Sequence, residues 1–406
     1  MKPNLLILTN QFPSVGVKGE DWIYDELRIT AQLYNKIYIF PEIYNTENNV
    51  LPINCEVINY KLKNEVHLNL LELINCLLIN LYDYKAYPNK TNYFKSFRYN
   101  YALLKELHLK AKKISTYNEC FEIPNITYAY WADNLATTAS IIHQNYHKTI
   151  VVTRGHGFEI FEEQTKNRVI PFRRFQYKHL SQIFADSENG KKHLDSNQLN
   201  WNYKHKNNVA YVGTQDLGEA VFNQKEKFAI STCSYIRDIK RLHFMPEILK
   251  HIEFELDWHI LGDGPDLEKI KQLNQTLPAN IKVHYHGYLK NDEILQFYKK
   301  NSINLFCSLS YSEGLPVSMM EAQSFGMPIM STDVGGCKEI CHEGTGFLIE
   351  KDFNPLEVAK KINGFKDSPK NSAEFRKMCR KHWESTFKAE NNYLSFAKKI
   401  ISFCQN

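Results

Sequence analysis

The chain has 406 residues, more than one hydrophobic core usually supports, so two domains of roughly 200 residues are expected. Hydrophobic content of 43%, charged content of 23% and a net charge of +5 are ordinary for a soluble globular protein and argue against a chain-wide polyelectrolyte binder. The nine cysteines are odd in number and never spaced Cys-x-x-Cys, which speaks against a disulfide framework or a zinc knuckle and for reduced thiols.

The opening MKPNLLILTNQFP has a short apolar run broken at Asn10 and Gln11 with no small-residue cleavage site behind it, so it reads as a strand, and a cytoplasmic protein is expected. The first 40 residues follow strand, loop, helix, strand. In the helix Ile23, Leu27, Ala31 and Tyr34 repeat at four, four and three, one face packed on a sheet. The richest apolar run, Val66 to Tyr82, carries His67 and Glu72 and falls short of the span of about 20 residues that a membrane crossing needs. Between Lys85 and Lys113, lysines interleave with Tyr and Phe around a single acid, Glu106. That mixture suits peripheral contact with an anionic membrane surface on the inner face of the cell membrane, and equally an exposed basic helix pair. No recognised nucleic-acid module surrounds it, so no nucleic-acid partner is expected.

Further on, His156 lies between two glycines directly after the strand TIVV, where the backbone can approach a ligand while the imidazole is held in place. A drop in hydrophobicity from Tyr211 to Lys227 marks a boundary. The expected organisation is a first domain over 1–212, a linker over 213–226, a second domain over 227–385, and a final helix over 386–406 returning to the first domain. The second half repeats short unalternated apolar runs, FAISTC, WHIL, VHYH, INLFCSL, PIMST and GFLI, separated by helical stretches. Such runs argue for a parallel sheet covered on both faces. The fold class is therefore α/β with two Rossmann-like domains, and a cleft beyond the carboxyl ends of their strands is expected to hold the ligand.

Three motifs carry chemistry. LGDGP at Leu261 to Pro265 ends a strand with two glycines but lacks the third of a dinucleotide fingerprint, so it reads as a tight turn or a backbone facing a nucleotide. SYIRDIKRL places Arg237, Lys240 and Arg241 near a strand's carboxyl end, a place for phosphate. EGLPVSMMEAQSFG puts Glu313 and Gly314 in a loop, Pro316 in the first helical turn and Glu321 about two turns in, with Val317, Met320 and Phe325 turned to the sheet. A helix N-terminus binds anions, and two carboxylates flanking a phosphate make sense as acceptors from sugar hydroxyls on either side of a diphosphate.

The pair Glu313-x7-Glu321 followed by MPIMSTDVGGCKEI resembles the retaining glycosyltransferases of family 4, which have the two-domain GT-B fold and use nucleotide-sugar donors. HGFEIF, IFADSENGKKHL, WHILGDGPDLEKI, HGYLKNDEILQFY and the closing HWESTFKAENNYLSFAKKI extend the similarity over nearly the whole chain, with bacterial surface-polysaccharide enzymes resembled best. The resemblance implies that Glu321 binds ribose hydroxyls. It also implies that Glu313 with Gly314, Leu315, Pro316 and Val317 holds the transferred sugar, that Lys240 neutralises the diphosphate, and that His156 lies beside the sugar. Gly19 would let the first loop approach the phosphates. Many members carry Gly-Arg-Leu where this chain has Ser234, Tyr235 and Ile236, so Arg237 or Arg241 would take the missing arginine's place.

The implied reaction is transfer of a hexose or N-acetylhexosamine, from a UDP-sugar in preference to a GDP-sugar, to a growing lipid-linked saccharide with retention of configuration. The chain contains no Asp-x-Asp motif and no histidine-rich metal spacing, so no metal or other cofactor is expected. A nicotinamide oxidoreductase would share the Rossmann halves but leaves the paired glutamates without a role. A catalytically silent glycosyltransferase-like subunit would keep the fold but need not keep His156, Lys240, Glu313 and Glu321, all of which are present.

Overall fold

A computed structural model of the chain describes residues 2–12, 21–44, 51–62, 66–86, 94–121, 125–165, 169–196, 198–224 and 226–404. The chain forms two compact units, Met1–Tyr211 with Asn392–Asn406, and Val212–Asn391.

The first unit is built on seven strands: β1 (Asn4–Phe12), β2 (Ile37–Tyr44), β3 (Cys55–Val57), β4 (Asn125–Ala129), β5 (Ile150–Gly155), β6 (Gln182–Ala185) and β7 (Asn207–Val209). They lie in the order β3-β2-β1-β4-β5-β6-β7, and every neighbouring pair is parallel. The unalternated run of β1 has its reason here. Successive side chains point to opposite faces, and both faces are dry: Leu6 and Leu8 join one core while Leu5 and Ile7 join the other.

The helix Asp21–Thr30 and the turn Ala31–Leu33 behind it lie over the second of those cores. Its anticipated stripe, Ile23, Leu27, Ala31 and Tyr34, is buried throughout. The last helix, Ala389–Ser402, sends Phe396, Ala397 and Ile400 into the same cluster. Between them runs a buried ion pair, in which Arg154 donates to Glu26 at 3.2 Å while its guanidinium lies 4.1 Å from the centre of the Phe396 ring. Burial still raises the Glu26 carboxyl above its ordinary value, because desolvation outweighs the attraction of Arg154.

The second unit has six parallel strands: β8 (Phe228–Cys233), β9 (Leu256–Leu261), β10 (Ile281–Tyr285), β11 (Leu305–Ser308), β12 (Ile329–Thr332) and β13 (Gly346–Ile349). Their order is β10-β9-β8-β11-β12-β13. Each coincides with one of the apolar runs of the second half. Both sheets reverse the direction of strand addition once, between β1 and β4 in the first unit and between β8 and β11 in the second. Loops leaving the carboxyl ends of such a strand pair diverge to opposite faces and open a crevice, the usual ligand position in open parallel sheets.

Candidate functional site

In the second unit the loops at that reversal are Ser234–Lys240, after β8, and Leu309–Pro316, after β11. The first ends in a single helical turn, Asp238–Lys240, and the second leads into the helix Val317–Ser324. The two loops are tied by Tyr311 N–H donating to the Ile239 carbonyl at 2.8 Å. Lys240 and Glu313 meet there: Lys240 Nζ donates to Glu313 Oε1 at 2.6 Å, with their side chains 23% and 12% exposed.

Backbone packing explains why these loops hold still. Gly335 has φ +53, and a Cβ there would collide with the Glu313 carbonyl, while Gly336 N–H donates to the Gly314 carbonyl at 2.7 Å. The glycines of DVGG thus clamp the Glu313 loop against the end of β12. LGDGP has the same explanation. A Cβ on Gly262, at φ +128, would overlap the Ser234 carbonyl, and Ile236 N–H donates to the Asp263 carbonyl at 2.9 Å. These glycines let two loops touch, the turn reading of that motif.

Pro316 is the N-cap of the following helix, with φ −73, so the first turn presents its amide N–H groups beside Glu313. Glu321 is the fourth residue after Val317, a little more than one turn in, where about two turns were anticipated. Met320 and Phe325, two of the three side chains expected against the sheet, are buried, as are Met319, Glu321, Ala322, Gln323 and Ser324, while Val317 is half-buried. Leu315 is buried under the loop.

Glu321 is itself 7% exposed and accepts a hydrogen bond from Asn291 Nδ2 at 2.5 Å. Burial pushes its carboxyl up to about 7, an effect that the Asn291 donor only partly offsets. The hydrogen bond from Asn291 uses only part of the acceptor capacity of this carboxyl group. Asn291 opens the helix Asn291–Lys300 and is a site residue that no spacing in the sequence singles out.

Arg241 is engaged with two backbone carbonyls. It adopts a left-handed backbone with φ 50, and its guanidinium donates to the Leu309 carbonyl at 2.8 Å and the Lys351 carbonyl at 2.7 Å. The rings of Phe244, Tyr311 and Phe353 surround it at 5.1 to 5.7 Å. Its donors are turned to fixing the loop after β11, whereas Arg237 is exposed at the head of the turn that carries Lys240.

In the first unit, His156 follows β5 directly. Its side chain is 8% exposed and lies against Tyr130 and Trp131, with ring centres 5.7 and 4.7 Å apart. Neither ring nitrogen has a hydrogen-bond partner among the described residues. Glu159, 1% exposed, brings Oε1 to 3.6 Å from Nδ1, beyond hydrogen-bond range, and that oxygen is also unpartnered. Three buried polar atoms thus lie close together without hydrogen-bond partners among the described residues. Arg173, itself 1% exposed, fixes the backbone below by donating to the carbonyls of Ala132, at 2.9 Å, and of Glu159. Glu159 was legible only as the acid three residues after His156. Gly19 lies outside the described residues.

The family model described as glycosyl transferases group 1 matches residues 214–382. O-antigen biosynthesis glycosyltransferase WbnH of Escherichia coli is 32% identical over 132 residues, which cover 32% of this chain and 36% of that protein. The chain therefore matches about a third of the length of this curated relative. Among solved structures, Anabaena Alr3699/HepE in complex with UDP aligns over 99% of this chain and 100% of its own, with TM-score 0.68 and 14% identity. Sucrose-phosphate synthase (tll1590) from Thermosynechococcus elongatus aligns over 99% of each chain with TM-score 0.72 and 13% identity. The chain has the GT-B fold, and its second unit is similar in sequence to the glycosyl transferases of group 1.

Proposed function

We propose that the protein is a retaining glycosyltransferase that moves a hexose or N-acetylhexosamine from a UDP-sugar to a growing, lipid-linked saccharide in cell-surface polysaccharide synthesis. The observation that carries this reading is the meeting of Lys240 and Glu313 at 2.6 Å beside a helix N-terminus, with the buried Glu321 one turn further on. The group 1 match over 214–382, the UDP in the HepE structure and the O-antigen role in the printed name of WbnH support it.

In this reading the bond between the anomeric carbon and the diphosphate oxygen breaks, the electron pair leaves with the diphosphate, and the acceptor hydroxyl bonds to the same face of the sugar. The hydroxyl proton passes to the departing phosphate oxygen. Lys240, Arg237 and the first-turn amides of Val317–Ser324 stabilise the negative charge that develops on the diphosphate, and the reading calls for no metal. Glu313 steers Lys240 and, with Gly314, Leu315, Pro316 and Val317, holds the transferred sugar. Glu321 accepts from the ribose hydroxyls, and His156 sits by the sugar ring. The enzyme works at the cytoplasmic face of the membrane, in peripheral contact through residues 85–113.

A panel of UDP-, GDP- and ADP-sugars with lipid-linked acceptors, scored by release of the nucleoside diphosphate, tests the reading. Release from a UDP-sugar is expected. Silence across the panel overturns it in favour of a non-catalytic subunit.

A further inference from the structure

The helix Leu70–Ala86 has an unusual outer face. Leu70, Leu71, Ile74, Leu77, Leu78 and Leu81 are 72, 76, 44, 41, 57 and 37% exposed, at the spacing of a single helical stripe about 25 Å long counted over the whole helix. The opposite face carries the packing. Cys76 and Ile79 are in the core, and Asp83 accepts from the backbone N–H groups of Phe172 at 2.6 Å and Arg174 at 3.0 Å. The stripe is therefore surplus to folding, and an exposed apolar face of this size marks an interaction surface.

Charge decides what it meets. The helix Phe97–Ile114 packs beside it, and Phe94 is joined to its end through Tyr84, ring centres 6.4 Å apart. That end carries Lys85, Lys95 and Arg98, all exposed, with Phe94 67% and Tyr99 69% exposed among them. The described carboxylates of the two helices are all engaged: Glu72 with Lys112, Glu106 with Lys110, and Asp83 inward. An apolar stripe ending in cations and aromatic rings, with no uncommitted acid among the described residues of the two helices, suits the interface of an anionic lipid bilayer. A second copy would bring the same set of cations to the interface.

We propose that this stripe is the membrane-docking element, lying in the plane of the bilayer with Leu70, Leu71, Ile74, Leu77, Leu78 and Leu81 among the acyl chains and Lys85, Lys95 and Arg98 at the headgroups. The inference deepens the peripheral-membrane part of the function proposed above, and moves the apolar contact to a helix that mostly precedes the basic segment 85–113.

Co-sedimentation of the full chain with phosphatidylcholine vesicles, with and without about 30% phosphatidylglycerol to supply the negative surface potential, tests it. Binding to the anionic vesicles alone is expected. Ile74→Ser with Leu78→Ser should reduce the bound fraction about tenfold, as should Lys85→Gln, Lys95→Gln and Arg98→Gln together. Circular dichroism of both variants should match the parent, since every changed side chain is exposed. Absence of binding by the parent, or binding unaffected by the serine pair, overturns the proposal. So does a dimer in light scattering that the serine pair dissolves while vesicle binding is absent, which would give the face to a second copy. Failure here leaves nucleotide release from soluble donors untouched, and silence in the sugar panel leaves vesicle binding untouched, so the two readings fail separately.

Discussion

Lys240 and Glu313, 73 positions apart, form an ion pair of 2.6 Å at the point where the second sheet reverses its strand order. The pair is incompletely buried, so its own contribution to stability is small, on the order of 1 kcal/mol. In the proposed function its importance is geometric: the carboxylate holds an ammonium where the diphosphate of the donor would arrive. Lys240→Ala should reduce transfer by at least roughly a thousandfold. Thermal unfolding should shift by only a few degrees. A folded variant with full nucleotide release would remove Lys240 from the phosphate site.

Glu321 titrates near neutrality, and its effect on stability has a definite sign. With a folded value of about 7 against an ordinary 4.5, the folded state keeps the proton where the unfolded chain has lost it, so stability falls as pH rises through that interval. Glu321→Gln has no such loss. It should equal the parent at pH 4 and exceed it above pH 7 by roughly 3 kcal/mol at most in urea unfolding. Donor affinity should drop in the same variant, because an amide has one acceptor oxygen where the carboxylate has two. Unchanged donor affinity would contradict the ribose role.

Gly335→Ala tests the clamp on the Glu313 loop. A Cβ at φ +53 meets the Glu313 carbonyl, which must move away. A cost of about 2 kcal/mol or more in stability is expected, together with at least a tenfold rise in KM for the donor. Gly218→Ala is the control. Its φ is +86 but nothing lies near the added Cβ, so the backbone penalty appears without the change in KM.

Glu159 lies 3.6 Å from His156, and its Oε1 is buried without a hydrogen-bond partner among the described residues. Catalytic hydrogen bonds are often long before substrate binds and shorten in the complex. Glu159→Gln should lower kcat by roughly ten- to a hundredfold with KM for the donor little changed. An unaltered kcat would leave Glu159 as a packing residue.

Arg241→Lys separates structural from phosphate-binding arginine. A lysine cannot reproduce the fork that reaches both the Leu309 and Lys351 carbonyls. The melting temperature should fall by several degrees, as for the loss of two hydrogen bonds worth about 1 kcal/mol each. Arg237→Gln should leave the melting temperature unchanged and weaken donor binding.

Much of the fold is local chemistry and could be read directly. Apolar runs such as LLILT and PIMST lack alternation because both faces of their strands are dry, and Ile23, Leu27, Ala31 and Tyr34 keep helical spacing because one side of their helix is buried. The positions of Glu313, Pro316 and Glu321 on a loop, a cap and a helix follow from the same local rules. Depth along a helix was less legible: Glu321 lies four residues after Val317, a little more than one turn in, where about two turns were anticipated.

Pairing across the chain was decided by tertiary structure alone. Nothing local distinguishes Arg241 from Arg237, yet the carbonyls of Leu309 and Lys351 capture one and leave the other exposed. The same holds for Asn291 against Glu321, and for the outward turn of Leu70, Leu71, Ile74, Leu77, Leu78 and Leu81 within the richest apolar run of the sequence. Sequence spacing determines the face on which a residue lies. What that face meets depends on neighbours far along the chain, and only the packed sheets and their loops bring those neighbours together.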